Sequence, residues 1–154
     1  VGGRAVAYTG STVAFALVEP TTDSRGGIGE RYDRVSGAIK RALETVGVDA
    51  REGEPPDSFC PGAHSLQADG KLVGIAQRVR QNVALTAGIV VLRDHVAIGD
   101  VLAPVYEALD LPFDSDSVGS VALAGGDDDG VIDALSTELV GSRRVTARDS
   151  IRDV

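Results

Sequence analysis

Between two runs of β-prone residues, SLQA (65–68) and KLVGIAQRV (71–79), the chain places the dipeptide Asp69-Gly70. Both residues tolerate positive φ, which a tight turn between antiparallel strands demands. A hairpin here commits the chain to an antiparallel sheet, and alternation along each strand decides which side chains share a face. The other runs extend the pattern. Residues 83–93 (VALTAGIVVLR) predict a mostly buried strand, and 48–52 a short one. Residues 4–9 (RAVAYT) and 12–19 (TVAFALVE), flanking Gly10-Ser11, predict a second hairpin.

Helical spacing supplies the remaining elements. Tyr32, Val35, Ile39, Ala42, Leu43 and Val46 recur on one face of a helix over 30–46, which Gly47 stops. Further helices are predicted over 100–109, before Leu111-Pro112, and over 130–140. Asp127 to Asp129 suit the dipole at the start of the latter, and Gly141 ends it. The charged tail 142–154 predicts a surface helix. Residues 20–29 read as a flexible loop, and three prolines exclude helix and central strand from EPPDSFCPGA. The order β-β-α-β-β-β-β-α-α suggests an α+β fold with a largely antiparallel sheet. At 154 residues, 1–154 reads as a single domain.

Composition narrows the partners. Net charge is −8, and of 15 basic residues all but Lys40 and Lys71 are arginines, while most acids are aspartates. No basic stripe offsets that charge, which argues against nucleic acid. No apolar run reaches the ~18–20 residues of a membrane span, no signal-peptide pattern opens the chain, and the single cysteine gives no sign of an oxidising compartment. The expectation is a soluble, cytoplasmic protein. An Asp-rich, Lys-poor surface suits a halophilic, archaeal source, with GC-rich codon usage as the alternative. No His/Cys cluster has metal-ligand spacing, so no metal held by protein side chains is expected.

Two stretches carry the candidate chemistry. Gly2-Gly3-Arg4-Ala5-Val6-Ala7-Tyr8 sets a double glycine before an extended run, where backbone N–H groups can approach a ligand and an arginine can pair with a carboxylate or phosphate; a tight turn is the plainer reading. In Asp69-Gly70-Lys71-Leu72-Val73-Gly74-Ile75-Ala76-Gln77, a scarce lysine follows a hairpin turn, and Gly74 leaves a gap in the sheet surface. Just upstream, Cys60 and His64 sit in the proline-rich loop. From the residues alone, Cys60 reads as a small half-buried apolar residue, and His64 as a loop hydrogen-bonder. His95 reads as a surface residue.

In this order and spacing, GGRAVAY, DGKLVGIAQRVR and ALTAGIVVL resemble the lipoate–protein ligase and octanoyltransferase family. Members read approximately R-x-S-G-G-G/R-x-V-x-H, then G-x-K-I-x-G-S-A-Q-x-R, then H-G-x-L/I. The resemblance covers about residues 1–93. It implies the biotin-protein-ligase-like catalytic domain, a mixed, mainly antiparallel sheet flanked by helices, with the family's first motif beginning upstream of Val1, so an N-terminal portion is expected to be lacking.

Carried over by position, the resemblance makes Lys71 the catalytic lysine. Gly2, Gly3 and Arg4 would line the acyl and adenylate pocket, joined by Gly74, Gln77 and Gly88. Tyr8 stands where the family has His, Ala87 where a His or Gln often precedes the glycine, and Ile75 where it has Ser. His64-Ser65 stands near the ligases' Asn-Asp pair, and both are carried as substrate-binding candidates. Cys60 occupies a place similar to the octanoyltransferases' nucleophile, at a shorter spacing to the lysine.

The leading expectation is a ligase that uses ATP and Mg²⁺ to form an acyl-adenylate. It would attach lipoate or octanoate to a lysine of lipoyl carrier domains, in 2-oxoacid dehydrogenase complexes or the glycine cleavage H protein. One alternative is octanoyl transfer from acyl-carrier protein through a Cys60 thioester. Another is a non-catalytic acyl- or adenylate-binding module, or one part of a two-piece enzyme.

Overall fold

The computed structural model describes residues 3–22 and 27–141. Five strands form one sheet: β1 (Thr12–Pro20), β2 (Arg51–Glu52), β3 (Leu66–Gln67), β4 (Lys71–Arg80) and β5 (Val83–Val91), in spatial order β1-β5-β4-β3-β2. Every ladder is antiparallel, and an isolated parallel bridge joins Lys71 to Val118. Among the described residues, the sheet is accompanied by three helices: α1 (Ile28–Thr45), α2 (His95–Ala108) and α3 (Val131–Val140), with a 3₁₀ turn at Ser115–Ser117. The fold is α+β, as the element order predicted.

The Asp69-Gly70 turn forms with φ of 48° and 114°, and it pairs β3 with β4. A Cβ at residue 70 would stand 2.5 Å from the Gly119 nitrogen, so the turn lies directly against the segment that follows the 3₁₀ turn. Successive residues on β5 point to opposite faces. Val90 belongs to a core cluster with Val35, Ile39 and Leu43 of α1 and Leu135 of α3, whereas Val91 packs with Ile98, Leu102 and Tyr106 of α2. Helices therefore cover both faces of the sheet, and β4 and β5 run through its middle.

Several expectations are corrected. Residues 4–9 form no strand: β1 takes β5 as its partner, and Ala5, Val6 and Ala7 pack on the α2 side of the sheet instead. The Gly10-Ser11 turn is present, with the Thr12 N–H donating to the Thr9 carbonyl at 3.2 Å, but it turns an irregular segment into β1. The 48–52 strand shrinks to two residues, and β5 ends at Val91. Helix α2 begins five residues before the predicted start, although no side chain caps it and it opens on the poor helix formers His95 and Val96. Tertiary packing of Ile98 and Leu102 overrides that preference. The predicted helix at 142–154 lies outside the described residues. Among the described residues, no helix is long and apolar enough to cross a membrane.

Candidate active site

A pocket of about 630 Å³ opens where the 3–8 segment, the 59–65 loop, Tyr32 of α1 and the middle of β4 and β5 converge. Of the residues singled out in the sequence, Gly3, Arg4, Tyr8, Cys60, His64, Ser65, Lys71, Gly74, Gln77 and Gly88 all line it. Gly2 lies outside the described residues. Residues from Gly3 to Gly88 are thus brought to one cavity by the 3–8 segment, the β4–β5 hairpin and the loop that precedes it.

Lys71 is buried, with 1% of its side chain exposed, although it sits on the first residue of a strand. Burying an ammonium is costly unless each proton is donated. Here the three are accounted for: Nζ donates to Glu54 Oε2 at 2.7 Å, to the Phe59 carbonyl at 2.9 Å and to the Cys60 carbonyl at 2.8 Å. The Phe59 ring centroid lies 5.0 Å from Nζ. Glu54 fastens the rest of the loop, taking the Gly62 N–H on Oε1 at 2.9 Å and the Ser65 hydroxyl on Oε2 at 2.7 Å. Lys71 and Glu54 together hold both limbs of the 54–65 loop.

Cys60 is pinned from two directions. Its carbonyl accepts from Lys71, and its N–H donates to the Tyr106 hydroxyl at 2.6 Å. Its φ of 40° is left-handed, a costly conformation for a residue with a side chain. The conformation brings Sγ to within 2.8 Å of where a Cβ on Gly3 would stand, and Gly3 itself has φ of 137°. A side chain at position 3 would displace the thiol. Tyr106 Oη in turn donates to the Ala5 carbonyl at 3.0 Å, tying the glycine-arginine segment to the cysteine loop through α2. Burial is the largest influence on this phenol and raises its pKa, with the Cys60 N–H bond opposing.

The remaining lining residues differ in what they offer. His64 stacks face to face on Tyr32, centroids 3.6 Å apart and planes 8° from parallel, forming a flat aromatic wall. Ser65 spends its hydroxyl on Glu54 and the Gly62 carbonyl, so it serves the loop. Gln77 accepts from Arg31 Nε at 3.0 Å, joining β4 to α1. Tyr8 and Arg4 are exposed at the rim. A Cβ on Gly88 would fall 2.5 Å from both the Gly74 carbonyl and the Phe15 ring, so packing within the protein demands that glycine. A Cβ on Gly74 would come no closer than 3.8 Å, to Lys71 Cε, an ordinary contact distance, so this part of the pocket wall has room for a methyl group.

Four residues of this arrangement escaped the sequence reading. Glu54 and Tyr106 act through partners 17 and 46 residues away, beyond any local pattern. Tyr32 lies on the predicted apolar face of α1, and Phe59 adjoins Cys60, with no local signal that marks either for the site. Among the described residues, no group of three or more His, Cys, Asp or Glu is placed to hold a metal ion.

Comparison with known proteins places this architecture. No family model matches the chain. In solved structures, a protein from T. acidophilum described as a lipoate protein ligase, with lipoic acid bound, superimposes with a TM-score of 0.66 at 21% identity over 90% of this chain. A lipoate-protein ligase A bound with ATP gives the same values, and the match covers 56% of each of these chains. The fold is that of the lipoate–protein ligase catalytic domains. In sequence, the chain is 30% identical over 108 residues to an octanoyl-[GcvH]:protein N-octanoyltransferase of Geobacillus kaustophilus and 31% identical to that of an Exiguobacterium species. Each alignment spans 69% of this chain and 38% of the relative's length. The sequence matches are thus to octanoyltransferases over part of their length, and the solved structures share the fold.

Proposed function

We propose that the protein transfers an octanoyl or lipoyl group to a specific lysine of a lipoyl carrier domain, with Cys60 as the acyl acceptor in the first half-reaction. The observation that carries this reading is the double pinning of Cys60, by Lys71 at its carbonyl and Tyr106 at its N–H, on the wall of an acyl-sized pocket. The curated relatives, named for transfer of octanoyl from one protein to another, support the substrate class.

In the first step, Sγ attacks the donor carbonyl, the bond from the acyl carbon to the donor's nitrogen or sulfur breaks, and that leaving atom takes up the thiol proton. In the second, the ε-amine of the carrier lysine attacks the thioester. The C–S bond breaks, and the amine proton passes to the departing sulfur. The aliphatic chain would lie against Gly74, Ile75 and Ala87. Their lack of polar groups, notable beside the family motif, suits a hydrocarbon. His64 and Tyr32 would close one side.

The ligase reading keeps support from the ATP-bound structure of the same fold. In it, Arg4 at the rim and Lys71 would face phosphate and Mg²⁺ would neutralise its charge. The residues present fit this less well, because all three Lys71 protons are already donated within the protein. The deciding experiment follows octanoyl transfer to a lipoyl domain by the full-length protein, from octanoylated H protein, octanoyl acyl-carrier protein, or free octanoate with ATP. Transfer without ATP, lost in Cys60→Ser, with an acylated Cys60 peptide caught by mass spectrometry, is expected. Pyrophosphate release with Cys60→Ser fully active would assign the ligase instead. No transfer from any donor would remove the enzyme reading.

A further inference from the structure

The carboxylate of Glu54 has no role in either half-reaction, yet among the described residues it is the acidic group bonded to the Lys71 ammonium. It is 20% exposed, facing the loop, while Lys71 is almost wholly enclosed. With Glu54 in place, the charge of Lys71 is balanced and its three protons are taken. A neutral acyl group, whether thioester or amide, can occupy the pocket and leave this pair intact. A carboxylate or acyl phosphate bonding to Lys71 must first take the place of a protein acceptor. Glu54 is the acceptor most free to yield, since the other two are backbone carbonyls of the buried Phe59 and the pinned Cys60.

We propose that Glu54 is a specificity-determining residue, a resident anion on Lys71 that makes the site select neutral acyl donors over free acids and acyl phosphates. The proposal rests on the acyl-pocket reading above. Its restraints suit the role: the Gly62 N–H and the Ser65 hydroxyl hold the carboxylate in position when nothing else does. Displacing it would release Gly62 and Ser65 as well, so anion binding would loosen the loop that carries Cys60.

The test compares octanamide with octanoate by calorimetry on the full-length protein and on Glu54→Gln and Glu54→Asp. In Glu54→Gln, the preference for octanamide over octanoate should fall by about tenfold, the worth of one charge-assisted hydrogen bond regained by the ligand. Glu54→Asp should keep most of the preference. Arg4 is the same in all three proteins and cancels in the ratio. An unchanged ratio in Glu54→Gln, or equal weakening of both ligands, overturns the proposal. Should Glu54→Gln fail to fold, a crystal structure of the native protein with octanoate decides. The carboxylate on Lys71 with Glu54 displaced supports the proposal; the carboxylate elsewhere, or on Lys71 beside an unmoved Glu54, overturns it. If neither octanamide nor octanoate binds, the acyl-pocket reading falls and takes this role with it, whereas binding without charge discrimination sinks Glu54 alone.

Discussion

The two faces of the sheet are stabilised differently. Under α1 and α3, Val35, Ile39, Leu43, Val73, Val90 and Leu135 close the core with apolar side chains that any similar set could replace at modest cost. On the other face and at the end of β4, the interior holds Lys71, Ser58, Ser65, Ser117 and Tyr106, each with hydrogen-bond partners. Buried polar groups cost several kcal/mol when a partner is lost, so this side tolerates little change. The apolar face supplies stability, and the polar face spends some of it to hold a loop in one conformation.

Substitutions on the polar face should therefore disturb both stability and chemistry. Lys71→Ala is expected to have the largest effect. It takes one donor from Glu54 and the Lys71 ammonium from two carbonyls, destabilises the chain by about 3 kcal/mol, and abolishes acyl transfer. Chemical denaturation and the transfer assay check both, and an active, stable Lys71→Ala protein would refute the site assignment. Gly88→Ala should cost about 2 kcal/mol through collision with Phe15 and the Gly74 carbonyl. Gly74→Ala on the adjacent strand should leave stability within about 0.5 kcal/mol while weakening octanamide binding, because its methyl group meets only ordinary contacts and takes up room at the pocket wall. Similar losses of stability from both glycines would erase that distinction.

Smaller effects are expected at the hinge between the regions. Tyr106→Phe removes one hydroxyl bridging Cys60 and Ala5, and should cost about 1–2 kcal/mol with slower alkylation of Cys60 by iodoacetamide. Burial raises the Tyr106 pKa, so the folded chain holds the phenol proton more tightly than the unfolded chain. The stability this provides is whole below the ordinary phenol value of about 10 and is lost as pH rises beyond it. The fall in thermal midpoint on the alkaline side should accordingly be shallower in Tyr106→Phe.

Local signals carried the sequence reading a long way. The Asp69-Gly70 hairpin and helix α1 depend on neighbours a few residues away, and both stand within two residues of their predicted bounds. The motif residues converge on one pocket because two adjacent strands carry most of them. What stayed hidden depends on distant partners. Residues 4–9 have strand composition, but β1 already pairs with β5, so they pack against α2 instead. Glu54 looked like one more loop acid, since nothing near EGEPPD announces a buried lysine. Cys60 was legible as a residue type and a position, whereas its left-handed backbone and its two clamps are properties of the fold.

The Asp69-Gly70 turn also bears on engineering. A short polar hairpin is ordinarily where a tag, a fluorescent reporter or a permuted terminus is inserted. Here the turn is pressed against Gly119 with no room for a single methyl group, and the lysine of the site is the next residue along. An insertion there would separate the 115–121 segment from β4. The turn at Gly10, where an added Cβ meets nothing within 4 Å, is the better attachment point.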